Sequence, residues 1–263
     1  MQLDLSGRHA LVCGASQGIG QASAKELAEL GANVTLLARN AEALEAAMQG
    51  LPCVHAGQHH DWRSVDMLDT ARLQTIATDI AARQPVHILI NNSGGPPGGA
   101  AHSADIAAFE AAFRQHLLSA QTVLQAVLPG MRHSGYGRIV NVISTSVKEP
   151  IAGLGVSNTV RAAMAGWAKT LAGELAGDGI TVNNVLPGYT QTQRLSGLIQ
   201  AKAAAAQCTE AEIAQRMLST VPAHRFGEAH EIAAVIAFLC TPAAAYVNGV
   251  SIAVDGGRTH ALS

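Results

Sequence analysis

The chain has 263 residues, of which 48% are hydrophobic and only 3% aromatic, and its formal net charge is −2. This length and apolar content suffice for one α/β domain with a core of Ala, Val, Leu and Ile, and the charge argues against a nucleic-acid-binding surface. No segment approaches the ~20 apolar residues that cross a bilayer, so we expect no membrane partner. Residues 1–8 lack a signal-peptide pattern, and the four cysteines are scattered, so we expect a cytoplasmic protein with reduced thiols.

The first predicted elements are a strand, a glycine-rich turn and a helix. The apolar run 10–12 leads into the turn, a helical pattern covers 21–30, and the turn itself reads Cys13-Gly14-Ala15-Ser16-Gln17-Gly18-Ile19-Gly20. Glycine lets the backbone approach a ligand closely, and the free N–H groups at a helix start bind anions such as pyrophosphate. A second strand over 33–38 completes a βαβ unit. We therefore predict a dinucleotide site, the alternative being a structural turn without a ligand.

Strands and helices continue to alternate along the rest of the chain. We predict strands over 85–90, 138–143 and 180–186, and helices over 41–48, 67–83, 103–130, 158–176 and 231–239. The strands are apolar almost throughout, as in a parallel sheet that is covered on both faces. This alternation, without linkers or repeats, predicts a single α/β domain over residues 1–263.

Histidines cluster between the second helix and the third. His55, His59, His60 and Asp61 are conceivable metal ligands, but their spacing does not resemble a closed metal site. We interpret this stretch as a polar surface loop and predict no metal.

The chain resembles the short-chain dehydrogenases/reductases, which are single-domain Rossmann oxidoreductases. Five motifs follow the family's order: the turn from Cys13 to Gly20, Asn91-Asn92-Ser93-Gly94, Ser144 after a strand, Pro187-Gly188, and Val254-Asp255-Gly256-Gly257. The resemblance implies a doubly wound, seven-stranded parallel sheet and a nicotinamide cofactor. It also implies that the segment 193–222 covers the substrate.

The resemblance implies an atypical active site, because the family's catalytic Tyr-x-x-x-Lys is absent. Ser157 and Arg161 occupy the two positions, and His116 stands where the family has an asparagine. A serine hydroxyl is far too weak an acid to replace a phenol, and Arg161 can bind ribose hydroxyls or a phosphate but cannot relay a proton. Substitute donors are His116, which we expect to titrate near neutrality, Tyr189 and Lys148. Each also has a simpler interpretation: a structural hydrogen bond for His116, and a position on the cleft wall or in water for the other two.

Further residues match the family's cofactor positions. Arg39 stands where NAD-specific enzymes have a carboxylate, and a guanidinium suits a 2′-phosphate, so we expect NADP(H) rather than NAD(H). Asp66 is preferred over Asp61 as the aspartate near the adenine, which makes part of 55–64 an insertion. The expected cofactor-binding residues are Gly14, Ser16, Gln17, Gly18, Ile19, Gly20, Arg39, Asp66, Asn92, Gly94, Arg161, Pro187, Gly188 and Thr192.

The resulting hypothesis is an NAD(P)(H)-dependent oxidoreductase that acts on a carbonyl/hydroxyl pair and resembles a divergent subgroup of the β-ketoacyl carrier-protein reductases. Ser144 is expected to hydrogen-bond the carbonyl oxygen. The alternatives are a non-catalytic dinucleotide-binding protein that regulates a partner, and a scaffold that retains only the fold. Because helix 158–176 is apolar on several sides, and family members bury it against a neighbouring subunit, we also expect a homotetramer or a dimer.

Overall fold

Seven parallel strands form one sheet in the order β3-β2-β1-β4-β5-β6-β7. A computed structural model describes residues 1–262 of the chain. Every neighbouring pair of strands is parallel. The strands are β1 His9–Cys13, β2 Asn33–Ala38, β3 His60–Ser64, β4 Ile88–Asn91, β5 Gly137–Val142, β6 Ile180–Pro187 and β7 Ser251–Val254. The predicted doubly wound Rossmann sheet is therefore confirmed.

Helices cover both faces of the sheet, because successive side chains of a buried strand point to opposite sides. In β1, Val12 joins a core with α1, α2 and α9, whereas Leu11 joins a core with α3, α5 and α6. Within residues 1–262, no helix combines the length and apolar character needed to cross a membrane. The α-helices are α1 Gly18–Glu29, α2 Ala41–Gln49, α3 Thr70–Arg83, α4 Ile106–Phe113, α5 Ser119–Ser134, α6 Gly155–Leu175, α7 Gln193–Ala206, α8 Glu210–Leu218 and α9 Ala229–Cys240.

The long helix predicted over 103–130 is interrupted in its middle. A π-helical turn, Arg114–Leu118, joins α4 to α5, and it contains His116. A π turn widens the helix by one residue and often occurs at functional sites. Apolar spacing does not reveal such a turn, because the helix continues in the same direction on both sides.

The polar loop predicted around 55–61 is only partly correct, because β3 begins at His60. Residues 60–64 form β3, so within 55–64 only residues 55–59 are left for the predicted insertion, which stays a prediction. The His60 ring lies between two backbone groups, with Nδ1 3.3 Å from the amide nitrogen of Val34 and Nε2 3.0 Å from the oxygen of Pro52. β3 pairs with β2 alone and is only half-buried, so its polar side chains remain partly in water at the edge of the sheet.

A row of amide side chains crosses the centre of the sheet. Asn91 donates to Asn141 (2.8 Å), Asn141 donates to Asn184 (2.9 Å), and Asn184 donates to Ser251 (3.0 Å). These residues are register partners on β4, β5, β6 and β7. Because all three asparagines are buried, their mutual pairing avoids the cost of unsatisfied polar groups. The row therefore joins the carboxyl halves of β4, β5 and β6 to the first residue of β7 and supports the register of these four strands.

Candidate active site

A cleft of about 490 Å³ lies along the carboxyl edge of β1, β4, β5 and β6. Strands β1 to β3 are added toward one edge of the sheet and β4 to β7 toward the other, so the strand order reverses between β1 and β4, and ligands of open α/β sheets bind at such a switch point. Ser16, Gly20, Arg39, Asp66, His116 and Lys148 do not line this cleft. The predicted site residues that do line it are Gly14, Gln17, Gly18, Ile19, Asn92, Gly94, Ser144, Ser157, Arg161, Pro187, Gly188, Tyr189 and Thr192.

The glycine turn packs directly against the loop that follows β4. Gly14 has a φ of +60°, and a Cβ added to it would lie 2.6 Å from the oxygen of Asn92. The Asn92 side chain donates to the oxygen of Gly14 at 3.1 Å, which fixes the two loops together. No side chain caps the start of α1, so its first N–H groups can bind an anion. This cradle, which a side chain would fill, fits the pyrophosphate of a dinucleotide.

Cys13 replaces the threonine that begins the family's glycine motif. Burial raises the pKa of its thiol to about 12, so the thiol stays protonated at neutral pH. Its side chain belongs to the apolar core on the α3 side of the sheet, and it does not line the cleft. The substitution therefore changes packing beneath the turn and does not place a reactive group in the cleft.

The two residues predicted at the adenosine end lie on the open surface beyond β2 and β3. Arg39 is exposed, and its carbonyl oxygen accepts a hydrogen bond from Ser64 at 2.7 Å. Asp66 lies two residues beyond the carboxyl end of β3, whereas Asp61 is the second residue of that strand and pairs with Arg63 at 2.6 Å. Asp66 is therefore on the same edge of the sheet as the glycine turn, and Asp61 is not.

Ser144 follows β5 and lines the centre of the cleft. Its Oγ accepts a hydrogen bond from the amide of Ser146 at 3.1 Å, which holds the hydroxyl in place. Because this contact uses a lone pair of the oxygen, the O–H remains available to donate to a ligand.

Ser157 and Arg161 lie one turn apart on α6, and both side chains line the cleft. Arg161 is buried, with 7% of its surface exposed, and its Nη1 donates to the oxygen of Val142 at 2.9 Å. Its Nε has no hydrogen-bond partner, and none of the ion pairs among the described residues includes it. Burial, and then the charge of Arg194, lowers the pKa of Arg161 to about 10, so it remains a cation at neutral pH.

His116 is buried behind the cleft, next to a small internal cavity that Arg161 also lines. Its Nδ1 lies 2.6 Å from the hydroxyl of Ser93, and its Nε2 has no partner. Burial, and secondarily the charge of Arg161, lowers its pKa to about 2. The expectation that His116 titrates near neutrality is therefore wrong, because its imidazole is neutral wherever the protein is folded under ordinary conditions.

The other two substitute donors differ in position. Tyr189 lines the cleft, and its ring packs edge-on against Phe226, with the centroids 6.2 Å apart. Lys148 is half-buried and does not line the cleft, so it is not placed to meet a substrate there.

Two charged residues of the cleft belong to none of the sequence motifs, Arg194 at the start of α7 and Arg258 after β7. Neither lies in a motif with a fixed spacing, and they are 64 positions apart in the sequence. Their proximity to the cleft depends on how α7 and the C-terminal segment fold over the sheet edge. The sequence contains no local signal for that arrangement.

The fold and the cleft are consistent with comparisons to known proteins. The sequence matches the protein family described as "Enoyl-(Acyl carrier protein) reductase" over residues 14–259. The chain belongs to the short-chain dehydrogenase/reductase family. Its relatives are named as reductases and dehydrogenases, which supports the prediction that this chain is an oxidoreductase. They give no support to the non-catalytic alternatives.

Three relatives illustrate the match to this short-chain oxidoreductase. A "Putative ketoacyl reductase" of Streptomyces coelicolor is 32% identical over 251 residues, 94% of this chain and 95% of the relative. The "NADPH-dependent reductase BacG" of Bacillus subtilis is 30% identical over 262 residues, 98% of this chain and 100% of the relative. The structure of L-sorbose reductase from Gluconobacter frateurii, complexed with NADPH and L-sorbose, has a TM-score of 0.92 at 27% identity, with all of both chains covered.

The first prediction concerns His116 and the pH dependence of stability. Its pKa is about 2 in the fold, whereas an unfolded histidine has a pKa of about 6.5. Acid therefore protonates the unfolded chain first, and stability falls as the pH drops below about 6.5. The free energy of unfolding, measured with urea, should be lower at pH 5.5 than at pH 7.5. This decrease should be about 1.4 kcal/mol smaller in His116→Gln than in the parent chain.

His102→Gln is the matched control, because His102 is exposed. This variant should lose as much stability between the two pH values as the parent chain does. An unchanged loss in His116→Gln would mean that His116 takes up a proton in the folded protein, contrary to the buried geometry.

Proposed function

We propose that this short-chain oxidoreductase uses NADP(H) to interconvert a small carbonyl compound and its alcohol, with an atypical active site. The observation that carries the proposal is Ser144, whose hydroxyl is free to donate into the cleft and lies between the glycine turn and α6. A donor in this position can stabilise the negative charge that develops on a carbonyl oxygen during reduction. The Asn92 loop and Thr192 line the same cleft.

The residues present fit a dinucleotide. When bound, the cofactor supplies or accepts the hydride. The turn from Gly14 to Gly20 would hold its pyrophosphate, and Asn92, Gly94, Pro187, Gly188 and Thr192 would surround the nicotinamide half. Arg161 would bind the adjoining ribose hydroxyls through nitrogens that the chain leaves unpaired. Arg39 and Asp66 would contact the adenosine half.

We propose Tyr189 as the proton donor to the alcohol oxygen. Ser157 is too weak an acid, His116 is neutral and lies outside the cleft, and Lys148 does not line it. Tyr189 is the tyrosine that lines the cleft, and it retains the phenol that the family uses from another position. Ser157 then contributes a hydrogen bond, and Arg161 contributes a fixed positive charge.

The helices α7 and α8 form the segment 193–222 that we propose as the substrate cover. Leu195 and Leu198 of α7 line the cleft, and Leu195 also packs against Ile213 of α8. Thr209 caps α8 through a reciprocal pair of hydrogen bonds with Glu212, which defines the break between the two helices. The cover is therefore a compact pair of helices and presents an apolar wall to the substrate.

We also propose a homotetramer or a dimer built on α4–α5, α6 and β7. The exposed face of α6 has small residues beside the charged Lys169 and Glu174, and a Cβ added to Gly166 or Gly173 would meet no atom within 4 Å. Ile106 on α4 and Leu118 beside α5 are exposed, at 74% and 45%, and β7 is a half-buried edge strand. Exposed apolar groups on adjoining helices are typical of subunit interfaces.

Sedimentation at micromolar concentration should give the mass of a dimer or tetramer. Gly166→Glu should then shift the chain toward monomer while preserving its helical content, because the side chain points to open space in the single chain. A parent chain that sediments as a monomer would exclude the proposed assembly.

Cofactor preference follows from Arg39. Its guanidinium should contact the 2′-phosphate, a charge-assisted bond whose loss weakens binding by about tenfold to a hundredfold. Titration of cofactor fluorescence should show tighter binding of NADPH than of NADH, and Arg39→Ala should weaken NADPH alone. Arg72→Ala, at an exposed position on α3, should leave both affinities unchanged. Tighter binding of NADH than of NADPH by the parent chain would contradict the preference.

The catalytic roles can be separated by turnover measurements on a simple β-keto ester. Ser144→Ala should lower kcat by about 10²- to 10³-fold with NADPH affinity retained, because it removes a donor to the developing oxyanion. Tyr189→Phe should lower kcat by about 10²- to 10⁴-fold, the usual contribution of a general acid. Tyr246→Phe is the control, since Tyr246 is fully exposed.

The double change Ser157→Tyr with Arg161→Lys restores the family's pair. If it raises turnover well above the parent level while NADPH affinity holds, the native site lacks an efficient donor and Tyr189 does not serve as one. Full activity in Tyr189→Phe would lead to the same conclusion.

A further inference from the structure

Three arginines line the cleft, and no aspartate or glutamate among the described residues does so. They are Arg161 of α6, Arg194 of α7 and Arg258 beyond β7. None of them belongs to an ion pair found within residues 1–262. The cleft therefore has a concentrated positive charge for which residues 1–262 supply no ion-pair partner.

Arg161 and Arg194 approach each other across the loop that follows β4. Their Nη2 atoms lie 3.8 and 3.4 Å, respectively, from the position that a Cβ of Gly95 would take. Arg194 is held there by a hydrogen bond from Nη2 to the oxygen of Pro96, at 2.8 Å. Two guanidinium groups this close repel each other, and the repulsion is strong because Arg161 is buried.

Arg258 approaches the cleft from the other side, above the ring of Tyr189. Its guanidinium carbon lies 4.7 Å from the ring centroid, and its Nη1 lies 3.5 Å from the hydroxyl of Thr145, the neighbour of Ser144. Its Nε is buried without a partner.

The carboxylates closest in sequence to these groups have other partners. Asp255 accepts hydrogen bonds from the amides of Gly257 and Thr259, at 3.0 and 2.8 Å. Glu149 accepts one from the amide of His260, at 2.8 Å. Both carboxylates thus fix the C-terminal segment, and neither neutralises the cleft.

We propose that the substrate carries an anionic group, a carboxylate or a phosphate, that Arg194 and Arg258 bind while its carbonyl lies at Ser144. The inference rests on the proposed function for the location of the reacting carbonyl. Arg258 contacts the residue next to Ser144, so the anionic group lies a few atoms from the carbonyl. A short oxo acid or a phosphorylated hydroxyketone has this shape. Guanidinium groups recognise both anions through paired, charge-assisted hydrogen bonds.

The test compares substrates that have the same carbonyl group with and without an anionic group. Acetoacetate is paired with methyl acetoacetate, and dihydroxyacetone phosphate with dihydroxyacetone, each measured for NADPH-dependent turnover and for binding by calorimetry, with and without NADP⁺. We expect the anion of at least one pair to be favoured in kcat/KM and in affinity by about tenfold to a hundredfold, the usual value of a charge-assisted hydrogen bond. The pair in which the anion is favoured shows whether the substrate carries a carboxylate or a phosphate.

Arg194→Gln and Arg258→Gln should each reduce this preference for the anion toward unity, and the Lys variants should retain most of it. Arg216→Gln, an exposed arginine of α8, should leave it unchanged. If the Lys variants keep the preference for the anion, its reduction in the Gln variants is due to the lost charge and not to a disturbed fold.

Three results would overturn the proposal. The first is equal binding of both members of each pair, or no binding of either anion. The second is a preference that survives both Gln variants. The third is a loss of NADPH affinity in those variants with the preference intact, which would assign the arginines to the cofactor's phosphates. If NADPH does not bind at all, the proposed function is refuted instead. The anion site would then still be tested by calorimetric binding of the two anions to the chain without cofactor.

Discussion

The charge of Arg161 is held at the carboxyl edge of the sheet by one hydrogen bond, from its Nη1 to the carbonyl oxygen of Val142 at the end of β5. Taking an unpaired cation out of water is costly, and here the lowered pKa still leaves it charged. The same charge disfavours protonation of His116 behind it. Burial is the larger cause of both lowered pKa values, and the charge of Arg161 adds to the effect on His116.

The sheet supplies the rigidity that such a charge requires. Asn91, Asn141, Asn184 and Ser251 bond across four strands, and Asn92 joins the glycine turn to the loop after β4. The cleft lies on these fixed strand ends, whereas α7 and α8 lie over it and are joined mainly to each other. A rigid base with a helical cover suits a site in which a positioned donor such as Ser144 must meet small ligands.

Much of this architecture could be predicted from the sequence, because glycine turns and apolar parallel strands are local signals. The bounds of β3 could not be predicted because its residues, His60 to Ser64, are mostly polar. They form an edge strand, which requires neither an alternating pattern nor an apolar run. His116 was assigned to its helix correctly, but its ionisation depends on burial and on Arg161, which only the fold brings near. Arg194 and Arg258 were missed because their position in one cleft depends on the topology of the chain.

In the proposed active site, Ser157 and Arg161 of α6 and the other two arginines of the cleft can be understood as one adaptation. Serine at position 157 is smaller than a tyrosine, so it leaves room in the cleft beside Arg161. Arginine differs from lysine in that it cannot be deprotonated under physiological conditions and presents a planar fork suited to carboxylate or phosphate. With serine at position 157, α6 has no phenol that could donate a proton. The larger space beside Arg161 and the fixed charge of its guanidinium favour an anionic ligand. Arg258 lies over the ring of Tyr189, so the proposed proton donor and the proposed anion site are adjacent. In this proposed arrangement, Tyr189 would donate a proton to a substrate that is oriented by its own negative charge.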